Sequence, residues 1–337
     1  MTEQVLMTGE AAKNRRLKRR YQSDLDVNGG QSDENVKEFH REPTAARNSL
    51  VGVTLQAVSR HLTILESFTH YTGILYIVLG IIFILVPDYI YHLLLIKINP
   101  QTTSYGRLAG NYVVGIGVFY VTSARSSLLR VPVNRIIIGM VFGRIFFVNL
   151  SCLAIYFNHS GPLGLVASVM AMDSILATIT YVLWVRELNA GILATLPWAF
   201  KKVLQLCSPQ NITTFHKSST IVKLLGYAQF FLGTVFLIRQ DFVQNGLDLE
   251  AFDEHSKGIL SFALMCFAVI GWLHILAGSG DACVFNVVAV FYRVFFSIPF
   301  NYYLSNSNKI APNLSKCFVG FDVFAAVIIA VVLFVEK

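Results

Sequence analysis

Cys317 to Val335 reads CFVGFDVFAAVIIAVVLFV, an apolar run broken by one charged side chain, Asp322. An α-helix rises 1.5 Å per residue, so this run matches the roughly 20 residues that cross a hydrocarbon core of about 30 Å. Tyr71 to Val86, YTGILYIVLGIIFILV, is of the same kind. Neither run alternates as barrel strands do, and backbone amides in lipid must be satisfied within their own segment, so both are helices.

Working outward from these two, the sequence predicts eight transmembrane helices: Ser67 to Val86, Leu108 to Ala124, Ile136 to Tyr156, Leu163 to Val185, Thr220 to Ile238, Gly258 to Leu276, Ala282 to Tyr303 and Cys317 to Val335. Composition agrees, with 54% hydrophobic and only 14% charged residues in 337, far outside the soluble globular range. The expected fold is all-α and polytopic. No apolar core followed by a small-residue cleavage site stands in the first 60 residues, so the first span is expected to act as its own insertion signal.

The remaining segments fall around these spans. Residues 1–47 are polar and charge-rich, with too few apolar side chains for a core, and are expected to be a disordered cytoplasmic tail. Within it Lys13, Arg15, Arg16, Lys18, Arg19 and Arg20 form a cationic cluster suited to anionic lipid headgroups, at about 1 kcal/mol per cation near the surface. The same run also resembles a nuclear-import patch, although in a multispanning chain a topology signal is the more economical reading, and no nucleic-acid partner is expected. Residues 48–66 place Val51, Leu55, Val58, Leu62 and Leu65 on one helical face, a candidate interfacial helix. Between the halves, residues 189–219 hold a second one, Ala190 to Leu206, with Trp198, Lys201 and Lys202 at headgroup depth.

The first membrane unit, 67–188, and the second, 220–337, share anchors. Leu79-Gly80, Phe83 and Asp88 match Leu232-Gly233, Phe236 and Asp241 at one offset, and Arg144-Ile145-Phe146-Phe147 with Asp173 matches Arg293-Val294-Phe295-Phe296 with Asp322 at another. Four helices per unit is an even number, so the units are expected to be parallel repeats, each a four-helix bundle. Arg125, Arg130, Arg135, Arg186, Lys201, Lys202 and Lys217 fall in loops on the tail's side, and Asp241, Asp248, Glu250, Asp253 and Glu254 on the other, which puts both termini in the cytoplasm.

Two pairs of charges lie inside the spans. Arg144 stands about fourteen residues before the turn at Asn158 and Asp173 about twelve after Gly161, so both are roughly 20 Å from that turn, at one depth on neighbouring antiparallel helices. Arg293 and Asp322 repeat the arrangement. A charge at mid-span costs about 2.5 to 3.5 kcal/mol on insertion scales and must face protein and a partner. Each pair is then either a buried clamp that fixes hairpin register, or a site in which the arginine holds an anionic or carbonyl-bearing ligand while the aspartate orients it. Glu66, His70 and His274 are expected at interfaces with wet tips, Asn111 to hydrogen-bond between helices, and Gly106, Gly110 and Gly117 to permit close packing.

Gly143-Arg144, the turn Asn158-His159-Ser160-Gly161-Pro162 and Asp173 resemble the DoxX-like group of small four-helix membrane proteins. The resemblance covers about half of the first unit and is weaker in the second, where Tyr292 replaces the glycine and Ala311-Pro312 the Gly-Pro turn. It implies a four-helix bundle per unit and carries no settled activity. No cofactor, metal site or catalytic motif is indicated; Cys152, Cys207, Cys266, Cys283 and Cys317 show no paired spacing. The sequence therefore supports a transporter-like or lipid-binding or small-molecule-binding membrane protein or a scaffold with a membrane-protein partner. An intramembrane enzyme acting on a lipid or quinone is the alternative, but it needs a second titratable group beside the pair.

Overall fold

A computed structural model describes residues 62–125, 135–158, 161–188, 191–207, 216–252, 255–280, 283–307 and 309–336. The cationic cluster Lys13 to Arg20, and all of the 48–66 segment but its last few residues, lie outside them. The described residues are helical and contain no strand. In chain order they form α1 (Ile64–Leu85), α2 (Pro87–Leu93), α3 (Pro100–Arg125), α4 (Arg135–Phe142, a π-helical Gly143–Val148 and Asn149–Phe157), α5 (Leu163–Leu188) and α6 (Ile192–Cys207). There follow α7 (Lys217–Ile238), α8 (Gln240–Gly246), α9 (Ser256–Ser279), α10 (Cys283–Tyr292, a π-helical Arg293–Ser297 and Ile298–Asn306) and α11 (Pro312–Val335). Among the described residues seven helices, all but α3 of the long ones, are long and apolar enough to cross a membrane.

The start of α1 is set locally. Glu66 N–H donates to Thr63 Oγ1 (3.2 Å) and Thr63 N–H to Glu66 Oε2 (2.8 Å), a capping box that satisfies two donors the helix leaves open. Glu66 is consequently buried rather than wet-tipped. Leu62 and Thr63 precede the helix, so the last residues of the expected interfacial segment are the cap and first turn of α1.

Glycines decide the packing of α1 on α3. A Cβ at Gly73 would stand 2.7 Å from the Gly117 carbonyl oxygen and one at Gly117 2.6 Å from that of Gly73; Gly80 and Gly110 are related in the same way at 2.7 Å. Two pairs one heptad apart let the backbones touch along the helix, the small-residue packing that substitutes for a hydrophobic drive in lipid. On α7 and α9, Gly226 and Gly271 make an equally close crossing.

The centre is α3 with α9, whose Tyr112 and Phe267 rings stand 5.5 Å apart. Being covered by protein, α3 tolerates buried Thr102, Asn111 and Ser123, and it extends back to Pro100 where apolarity alone predicts a start at Leu108. The third long helix of each half leans on the other half. Trp272 of α9 donates to the Gly139 carbonyl of α4 (2.9 Å), and Asn111 of α3 donates to Ser297 of α10 (3.0 Å). Short helices α2 and α8 follow α1 and α7, and each is succeeded by a left-handed residue, Leu95 (φ 56°) and Asp248 (φ 50°). Helix α6 buries Thr195, Ala199 and Val203 on one face, stacks Trp198 on Trp184 at 6.0 Å, and exposes Leu193, Leu196, Phe200 and Leu204 on the other.

Candidate functional site

Both intramembrane arginines sit in π-helical segments, Arg144 second in Gly143–Val148 and Arg293 first in Arg293–Ser297. A π turn widens the helix and re-aims its side chains, and such turns cluster at functional sites. Here they turn Ile145, Phe146, Val294 and Phe295 outward while both guanidiniums point into the bundle.

The structure brings each predicted pair together. Arg144 Nε lies 3.8 Å from Asp173 Oδ1, and Arg293 Nε 3.3 Å from Asp322 Oδ1, with all four side chains buried. Their surroundings differ. In the first half the Tyr76 hydroxyl donates to Asp173, and the Arg144 guanidinium lies 4.4 Å from the Tyr120 ring centroid and 5.5 Å from that of Tyr76. A cation over an aromatic face is held electrostatically by the ring quadrupole without using an N–H; Arg144 Nη2 makes no hydrogen bond, and Nε has the 3.8 Å ion pair with Asp173 alone. These donors line a cavity of about 300 Å³ between α1, α3, α4, α5 and α9. Apart from Tyr76, Tyr120, Arg144, Asp173 and Ser168, its walls are apolar side chains, backbone and sulfur, including Met140, Phe147, Met265 and Trp272.

In the second half the corresponding space is nearly filled, with about 30 Å³ left. Ser297 donates to Asp322 Oδ2 (2.7 Å), Arg293 Nη1 donates to the Ala289 carbonyl (3.2 Å), and Arg293 Nη2 reaches His274 Nε2 (3.1 Å). Guanidinium can only donate and the Ile270 carbonyl, 2.7 Å from His274 Nδ1, can only accept, so His274 is the neutral Nδ1–H tautomer. Tyr292 extends the chain by donating to the Asn111 carbonyl (2.5 Å). The second pair is thereby built into a polar network, whereas the first faces open space.

Several sequence expectations change. His274 is buried beside Arg293 rather than interfacial. Asn111 does hydrogen-bond between helices, to Ser297. Gly110 and Gly117 permit close packing, and Gly106 is covered by the Tyr91 hydroxyl. Gly143 lines the first-half cavity beside Arg144, with Trp272 packed onto it, 2.6 Å from where a Cβ would stand, whereas Tyr292 lines the small space of the second half. Sequence reasoning missed Tyr76 and Tyr120, the titratable groups beside the first pair. A signal existed: Tyr76 falls between Gly73 and Gly80 on the glycine-marked face, which must turn toward protein.

Among the described residues no group of three His, Cys, Asp or Glu side chains could hold a metal ion, and Cys152, Cys266 and Cys317 are free. The chain matches no protein-family model, and no curated protein or solved structure is significantly similar to it.

Proposed function

We propose that this multi-pass membrane protein binds a small, mostly apolar molecule in the first-half cavity, with Arg144 donating to an oxygen of the ligand and Asp173 orienting the guanidinium. The observation that carries this reading is Arg144 itself, 4% exposed, paired through Nε with Asp173 and yet with Nη2 unbonded at the wall of a cavity of about 300 Å³. An unmade hydrogen bond to a buried charged group is costly, and a bound acceptor removes the cost. The second pair, tied into its own network, is the clamp that fixes the α10 and α11 hairpin.

The proposed frame is eight crossings, with α3 the eighth, in two parallel units with both termini cytoplasmic. Shared anchors support it, as do two matching end contacts: Glu187 accepts from Leu65 N–H (3.4 Å) and Glu336 from Ser218 N–H (2.8 Å). The DoxX-like resemblance fits a four-helix unit. Native mass spectrometry of the protein released from membranes tests the binding: wild type should carry a small molecule, and Arg144→Met with Asp173→Leu should be folded and empty. A wild type that is equally empty, with no thermal stabilisation by membrane extract, would leave a scaffold.

One observation favours a second reading, an intramembrane enzyme on a lipid or quinone. The Tyr76 hydroxyl, Asp173 and Arg144 together supply a proton donor, a carboxylate and an electrostatic stabiliser in one cavity. Recovery of the bound molecule chemically altered after incubation would select it; recovery unchanged selects a binder or carrier.

A further inference from the structure

We infer that the first-half cavity is filled sideways from the bilayer, between α1 and α5 beneath α2, and that its ligand is a neutral carbonyl compound of about a dozen heavy atoms dissolved in the membrane. The inference rests on the reading that this cavity binds a ligand, and adds the route, the size and the charge class.

The route comes from how α1 and α5 are held. At one end Glu187 meets Leu65, at mid-height Tyr76 meets Asp173, and at the other end the Leu94 carbonyl lies against Gly164. Between the last two contacts the cavity wall includes Leu93, 75% exposed, and exposed Ser168. Around α5, the exposed Ala167, Ala171, Ile175 and Thr178 mark one face and the cavity-lining Leu165, Val169 and Asp173 another. At about 100° per residue Ser168 falls at the border of these faces, where the cavity meets the surround. The roof toward the α2 end is Ile90, Leu93 and Leu94, so a hydrated ion would have to shed its water against an apolar cover, whereas a molecule already in lipid would not.

Size follows from volume. A cavity of about 150 Å³ holds a benzene ring, so about 300 Å³ takes roughly twice that, two small rings or a medium chain. Charge follows from the pair. Arg144 and Asp173 already sum to zero, so a carboxylate ligand would bring an uncompensated negative charge into low dielectric, whereas a neutral carbonyl oxygen accepts from the unbonded Nη2 without one.

Trp272 lines the cavity and serves as sole reporter in a variant carrying Trp184→Phe and Trp198→Phe. The probes are a medium-chain ω-bromo methyl ketone, the bromoalkane of equal length and the ω-bromo carboxylate, added to protein in lipid nanodiscs. Saturable quenching by the ketone is expected, with affinity about tenfold or more above the other two, as one charge-assisted hydrogen bond implies. Arg144→Met should erase that preference. For the route, Ser168→Cys is modified after folding with a bulky disulfide-forming reagent, with Ala171→Cys on the lipid face as control. Modification at 168 should slow association by about tenfold, whatever its effect on affinity at the cavity wall, reversed by reductant, and modification at 171 should not. Unchanged rates after full modification at 168 overturn the route while leaving binding intact. A carboxylate that binds as tightly as the ketone overturns the charge class. Absence of saturable quenching by any probe overturns the binding reading, and this inference with it.

Discussion

Replacing each arginine by methionine should separate the two pairs by stability. Arg293→Met removes a donor from the Ala289 carbonyl and from His274 and leaves Asp322 with Ser297 alone, in a space of about 30 Å³ with no room for more than a water or two. Breaking a buried pair from one side costs about 3 to 5 kcal/mol, and the stranded acceptors place this substitution at the upper end of that range. Arg144→Met removes a looser ion pair of 3.8 Å and a cation over the Tyr120 ring, leaving Asp173 with the Tyr76 hydroxyl beside a cavity that water can enter. Its cost should be about 1 to 2 kcal/mol, near that of the cation–ring contact alone. Asp173→Leu added to Arg144→Met should recover most of that loss, because no orphan charge remains. Reversible unfolding in mixed micelles of rising denaturing-detergent fraction measures all three. Equal losses at the two sites, or a larger one at Arg144, would refute the claim that the second pair is a clamp and the first an unfinished site.

Gly117→Val should separate α1 from α3 and cost more than 2 kcal/mol in the same assay, since its Cβ would meet backbone at 2.6 Å, whereas Gly320→Ala, with nothing within 4 Å, should be silent. A sequon-bearing loop inserted near Asn245 should be glycosylated in microsomes and one near Asn211 should not; the reverse pattern overturns the cytoplasmic assignment of the termini. A peptide covering Lys13 to Arg20 should bind phosphatidylserine vesicles and release as salt shortens the Debye length below about 8 Å, and salt-insensitive binding would remove the headgroup role.

Seven of the apolar helices and the pairing of each arginine with its aspartate were legible because both follow from the cost of exposing polar groups to lipid, which is local and directional. Apolarity placed α5 and α11 well, but it shortened α3, whose Pro100 to Arg107 turns lie against protein and need no apolar coat. His274 was misplaced for a related reason: a histidine near a helix end in sequence reads as wet, and only the cross-helix contact with Arg293 shows where it faces. The difference between the two pairs was legible only as a glycine, Gly143, beside the first arginine where the second has Tyr292. It depends on Trp272 seating on Gly143 and Tyr292 crossing to Asn111, contacts between residues more than a hundred positions apart that carry no periodic signature.

That same exchange of third helices between halves bears on how the chain is made. When α4 leaves the ribosome, the helix that will cover Gly139 and Gly143 has not been synthesised, because Trp272 lies in α9. The first half must wait in the membrane with the backbone seam at Gly139 and Gly143 uncovered. Its maturation is therefore coupled to completion of the second half, and a ribosome stalled before α9 would leave an intermediate for membrane quality control to hold or destroy.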